Sequence, residues 1–133
     1  FFENSGYFFI GTDCGSMLRW GLAHVPKEQL MWLDKTLHNM KNKDMPIISV
    51  NHYPMNAMVD NNYEMIRRLK TRNIQLMICG HGHQNKNFNF DGIPGIMCRS
   101  NLPVKEKKRE SGYTIVKIHD GVASFNEMPG ITW

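Results

Sequence analysis

Three of the six histidines in this 133-residue chain stand where apolar runs end. His52 follows Ile47-Ile48-Ser49-Val50-Asn51, and His81 and His83 follow Ile74-Gln75-Leu76-Met77-Ile78-Cys79-Gly80. Neutral imidazole is a good ligand for divalent transition metals, so gathered histidines point first to a metal site. Read as extended chain, residues two apart share a face with Cα atoms about 6.6 Å apart. At that spacing His81 and His83 can converge on one ion, or on two ions about 3.5–4 Å apart. Gly80 and Gly82 flank His81 and carry no side chains that would obstruct an approach. A lone strand-end histidine is ordinarily structural; three at two strand ends favour a metal.

Other candidates carry less. Asp13 could support the site from a strand end, or fix its own turn by accepting hydrogen bonds from the backbone. Asp34 and His38 sit four apart on an expected helix and read as an exposed pair. His24 either faces substrate or is a plain loop residue, and His119, beside Asp120-Gly121, reads as solvated. Met55, Met58 and the asparagines around them could line a substrate rim, although ordinary loop composition explains them equally. Trp20, Trp32 and Phe8-Phe9 read as core, as do the three cysteines, Cys14, Cys79 and Cys98, which show no C-x-x-C spacing.

The elements that must position these residues alternate. Tyr7–Ile10 is an aromatic, β-branched run between glycines and reads as a buried strand. From Pro26, expected at the first helical position, Leu30, Leu33, Leu37 and Met40 form one apolar helical stripe. Ile47–Val50 is a second strand. Asn61 with Glu64 resembles a capping box opening a helix with Tyr63, Ile66 and Leu69 inward. Ile74–Cys79 is a third strand. Beyond it the helical period disappears, and Asn87–Phe90 before Asp91-Gly92, and Thr114–Ile118 before Asp120-Gly121, read as hairpins. Sites in layered α/β folds lie outside the carboxyl ends of the strands, where both histidine segments fall.

Composition bounds the class. Hydrophobic residues at 41% and charged residues at 21% describe a chain able to bury a core, which excludes disorder and fibrous repeats. The length fits one domain spanning residues 1–133. No apolar run approaches the ~18 residues of a membrane helix, so no membrane partner is expected. The net charge of +4 is mild, and Lys105, Lys107, Lys108 and Arg109 are interleaved with Glu106 and Glu110. That run reads as a solvated loop and not as a nucleic-acid-binding signature. The chain opens Phe1-Phe2-Glu3, without Met, so it is expected to be part of a longer protein, and its compartment stays open.

Several histidine-pair families are excluded by what is missing. There is no H-x-H-x-D-H, no Glu soon after His83, no third alternate histidine and no H-E-x-x-H. What remains resembles the C-terminal half of the calcineurin-like metallophosphoesterase superfamily. Asn51-His52-Tyr53-Pro54 is similar to its H-x-P loop, and Gly80-His81-Gly82-His83 to its G-H-x-H strand end. Upstream, Phe9-Ile10-Gly11-Thr12-Asp13 resembles its D-[ST] strand end, and Glu28-Gln29-Leu30-Met31-Trp32-Leu33 its E-Q-L-x-W-L helix. Gly92-Ile93-Pro94-Gly95-Ile96 and Gly112-Tyr113-Thr114-Ile115-Val116 resemble its closing hairpins.

The resemblance implies an α/β fold, half of a layered β-sandwich flanked by helices. It implies a metal-dependent phosphoester hydrolase holding two divalent ions (Mn, Fe or Zn), with His52 and His81 on one and His83 on the other. The family's D-x-H, G-D-x-x-D and G-N-H-[DE] motifs, which supply carboxylates and the general-acid His, do not occur in this sequence. Three imidazoles cannot satisfy two metals, and phosphoester-cleaving centres need carboxylate oxygens as well. The chain is therefore expected to be half an active site, inactive alone, and to self-associate through surfaces its missing half would cover. A non-catalytic mononuclear module, with Cys79 or an Asp as fourth ligand, and a metal-free interaction domain are the rivals.

Overall fold

A computed structural model describes residues 1–15, 22–100, 112–119 and 122–129. Trp20, the basic run at 105–109 and the Asp120-Gly121 turn lie outside them. The fold is mixed α/β. Its six-stranded sheet has the order β1-β2-β3-β4-β6-β5, formed by β1 (Phe2–Asn4), β2 (Tyr7–Gly11), β3 (Ile47–Asn51), β4 (Ile74–Cys79), β5 (Lys86–Phe90) and β6 (Ile93–Met97). β2, β3, β4 and β6 are mutually parallel, and β1 and β5 are antiparallel edges. β7 (Gly112–His119) and β8 (Val122–Pro129) form a separate hairpin.

Two crossover helices connect the parallel strands: α1 (Lys27–Asn39) between β2 and β3, and α2 (Asn62–Leu69) between β3 and β4. Successive crossovers of one hand put both on the same face. There Leu30, Leu33 and Leu37 of α1 meet Met65, Ile66 and Leu69 of α2 over Phe8, Ile10, Ile47, Met77 and Cys79. Each such buried aliphatic side chain contributes about 1.5–3 kcal/mol. The helices are also tied by Arg68 Nε donating to Asp34 Oδ2 at 3.1 Å and Arg72 Nε donating to the Leu37 carbonyl at 3.1 Å. Asp34 thus pairs across the helices and not with His38, because Arg68 offers a full charge.

Three local expectations change. Pro26 sits one residue before α1. Asn61 makes no side-chain cap; its amide is spent on Val25, accepting from the backbone N–H at 2.9 Å and donating to the carbonyl at 2.8 Å. Glu64, freed from the box, pairs with Arg68 and Arg67. Tyr63 is exposed and Met65 takes its inward place. β1 is an addition: Ser5 and Gly6, both at positive φ, turn it onto β2, pairing Asn4 with Tyr7.

The opposite face of the sheet is also apolar, carrying Phe9, Ile48, Val50, Leu76, Ile78 and Ile96 by alternation. β8 lies against β4, which is hydrogen-bonded on both edges, so the hairpin approaches from this face. The β5–β6 turn is Asp91-Gly92, both at positive φ as a type I′ turn requires. In that hairpin Gly95 carries the Phe90 ring: a Cβ at Gly95 would stand 2.2 Å from Phe90 Cε2. Gly95→Ala should therefore destabilise the protein by about 1–3 kcal/mol. Urea unfolding monitored by circular dichroism checks this; an unchanged midpoint would show that the ring moves freely.

Candidate metal centre

His52, the residue after β3, and His81, two residues after β4, are brought together by the β3–β4 register. Asn51 pairs with Cys79, and the next step is continued by the Gly80 N–H donating to the His52 carbonyl at 2.9 Å. His81 Nδ1 and His52 Nε2 then stand 3.2 Å apart, with ring planes at 82°. Two nitrogens bound to one ion at about 2.0–2.1 Å with a tetrahedral angle lie about 3.3 Å apart. The pair therefore has the spacing of two ligands on one metal. Without metal, one nitrogen carries the proton and donates it to the other.

His83 arrives differently. β4 ends at Cys79, and His81 and His83 adopt left-handed backbone, with φ of 72° and 53°. The period-two argument for an extended His81-Gly82-His83 therefore does not apply, and the two rings are not stacked along one strand face. Among the described residues no three His, Cys, Asp or Glu side chains converge on one point. His83 remains within electrostatic reach: burial, then the His52 and His83 imidazoles, hold His81 below the ordinary imidazole pKa. The neutral, ligand-competent form of His81 thus persists to lower pH than in a free histidine.

Gly82 lies against the end of the Met97 side chain. Its N–H donates to Met97 Sδ at 3.2 Å, and a Cβ there would come within 2.6 Å of that sulfur. Asp13 is exposed and its Oδ1 accepts from the Gly15 N–H at 3.1 Å, so its carboxylate shapes a turn. Cys79 points into the helix-side core, its thiol donating to the Ile96 carbonyl at 3.5 Å, and burial pushes its pKa up to about 12. It is not placed as a fourth ligand.

Sequence reasoning missed two features. A buried polar chain underlies the β3 end: Thr12 Oγ1 donates to Asn51 Oδ1 at 2.6 Å, and Asn51 Nδ2 donates to Ser49 Oγ at 3.1 Å. It locks the last residue before His52 to the end of β2, and its only sequence signal was three small polar residues beside apolar runs. The second is His24, whose Nδ1 pairs with Asp60 Oδ1 at 2.7 Å in a clamp between the β2 and β3 loops. There Ala23 and Val59 bridge in parallel. A cavity of about 460 Å³ between β1 and α1, lined by Phe1, Phe8 and Trp32 among others, shares no residue with the histidines.

The left-handed backbone at His83 costs a residue with a Cβ about 1–2 kcal/mol. His83→Gly should consequently unfold at a higher temperature than His83→Ala, by a difference corresponding to about 1 kcal/mol, since both lack the imidazole. Calorimetry on the two variants checks this; equal melting temperatures would mean that the turn relaxes.

No protein-family model and no curated protein matches this sequence. Among solved structures, the chain is similar to a crystal structure of a Vps29 single mutant from Entamoeba histolytica, at 10% identity and a TM-score of 0.33. The likeness covers 94% of this chain and 99% of that one.

Proposed function

We propose that this chain is the C-terminal, histidine-bearing portion of a metallophosphoesterase catalytic domain, acting on phosphoester substrates through two divalent ions. The observation that carries the reading is the 3.2 Å approach of His81 Nδ1 to His52 Nε2 at the carboxyl ends of adjacent parallel strands. Strained backbone at His81 and His83 supports it, because such strain persists where surrounding structure holds a functional geometry. The motif order read from the sequence supplies the phosphoester chemistry.

In this reading His52 and His81 hold one ion and His83 the second, each as neutral imidazole. Ions so held supply Lewis acidity and charge neutralisation at the phosphate. This chain's own residues bind and orient; its acidic side chains do not complete the set, since Asp13 is occupied at its turn. The carboxylates and the general acid come from outside residues 1–133, and the chain alone is inactive. The apolar second face of the sheet, with β7–β8 beside β4, fits half of a layered β-sandwich. A second reading, a non-catalytic module holding one ion, is favoured by the pairwise convergence of His52 and His81 without carboxylates.

Titration calorimetry with Mn²⁺ or Zn²⁺ should show binding to the wild type and none to the His81→Ala, His83→Ala double variant. Binding should weaken below about pH 6, where protons compete for the imidazoles. His81, held below the ordinary imidazole pKa chiefly by burial, takes up a competing proton less readily than a free imidazole. Identical isotherms for both proteins would refute the metal centre. With excess Mn²⁺, p-nitrophenyl phosphate and its bis ester should turn over no faster than with His52→Ala. A robust rate lost in that variant would mean that this chain holds its own carboxylates.

On the second face Ile48, Leu76 and Ile96 are buried, and Val50 is left 44% exposed. The wild-type chain should self-associate, and Val50→Lys should shift it toward monomer in light scattering. A clean wild-type monomer without dye binding would show that the face is already covered.

A further inference from the structure

The ring of Tyr53 touches both members of the histidine pair. It lies 4.2 Å from the His81 ring at 37°, and 4.8 Å from the His52 ring edge-on at 84°. We propose that Tyr53 is a positioning residue: its ring, and not its hydroxyl, fixes the plane of the His81 imidazole for metal binding. The proposal rests on the metal-centre reading for its purpose, while the stacking itself is independent of any metal.

The need for such a support follows from the geometry. His81 sits in a turn, beyond the last paired residue of β4, so no neighbouring strand restrains its side chain. Its hydrogen bond with His52 joins Nδ1 and Nε2, the two nitrogens that would serve as ligands in the metal-centre reading. Once both lone pairs go to an ion, that bond is gone. Metal-binding histidines are ordinarily oriented by a hydrogen bond from the other ring nitrogen to a carboxylate or carbonyl. Among the described residues His81 has no such partner, and the Tyr53 ring is what remains against its face.

Tyr53 is itself well placed to act as a fixed wall. It is half-buried, packs against the helix-side core, and precedes Pro54, which is fully buried. Pro54 restricts the backbone of Tyr53 to extended conformations. The Pro54 carbonyl accepts from the Asn56 N–H at 2.8 Å, closing the turn behind the ring. Ligation places positive charge on the imidazole, and a cationic ring over an aromatic face is stabilised further. No hydrogen bond of the Tyr53 hydroxyl occurs among the described residues, so phenylalanine should serve as well.

The experiment follows the histidine ring signals by NMR in the metal-free protein, and Co²⁺ binding by its visible absorption, in wild type, Tyr53→Phe and Tyr53→Leu. Wild type and Tyr53→Phe should keep the His81 ring protons shifted by the neighbouring aromatic face and should bind Co²⁺ within about twofold of each other. Tyr53→Leu should move those signals and weaken Co²⁺ about 3- to 10-fold with a changed absorption band. A nuclear Overhauser contact between the Tyr53 and His81 rings in the wild type needs no variant, and its absence overturns the proposal even if Tyr53→Leu does not fold. Unchanged affinity and spectrum in Tyr53→Leu, or equal weakening in Tyr53→Phe, overturns it as well. Failure of the wild type to bind Co²⁺ overturns the metal-centre reading together with this role, whereas binding by wild type that ignores Tyr53→Leu overturns this role alone.

Discussion

The pairing register between β3 and β4 governs everything at the carboxyl edge of the sheet. Ile47 pairs with Ile74, but Ile48 pairs with Leu76, so Gln75 is an extra residue in β4. That single irregularity decides that Asn51 meets Cys79 and that the Gly80 N–H reaches the His52 carbonyl. In an unbulged ladder Asn51 would face Ile78, and every β4 side chain beyond Gln75 would change faces. The hydrophobic pattern enforces the observed choice: Met77 and Cys79 must face the helices, and Leu76 and Ile78 the other side.

Polar groups refine what that register establishes. Ser49 and Asn51 are buried on the helix side of β3, where an unpaired hydroxyl or amide would cost about 1–3 kcal/mol. They satisfy one another and Thr12, so the ends of β2 and β3 stay aligned. The loops beyond are joined again by Asn61 against Val25 and by His24 against Asp60. A pair of turns that would otherwise be loose is thus held as one unit beside His52.

Much of the architecture was legible because it rests on periodicities. Leu30, Leu33 and Leu37 recur at helical spacing and are buried, and Ile74–Cys79 is a strand with the bounds its residues imply. Asp91-Gly92 makes the turn its chemistry demands. The failures were competitions that local rules do not see. Asn61 is a good cap residue, yet Val25 offers both a donor and an acceptor and takes its amide. Tyr63 fits the apolar stripe, but the shorter Met65 fills the space between the layers. β1 has only three residues and exists because β2 offers it an edge.

The sequence by itself determined that histidines end two adjacent strands and that helices cross between those strands, since both follow from residue order and apolar spacing. It also determined that no bridging carboxylate motif accompanies them. Only the tertiary structure decided how the imidazoles point. Side-chain direction past a strand end depends on φ and ψ in the turn, and the left-handed backbone at His81 and His83 replaces the alternation that spacing implies. The 3.2 Å meeting of His81 with His52, and the Tyr53 ring against His81, join residues 29 and 28 positions apart. Such contacts are products of long-range strand pairing, and no local pattern encodes them.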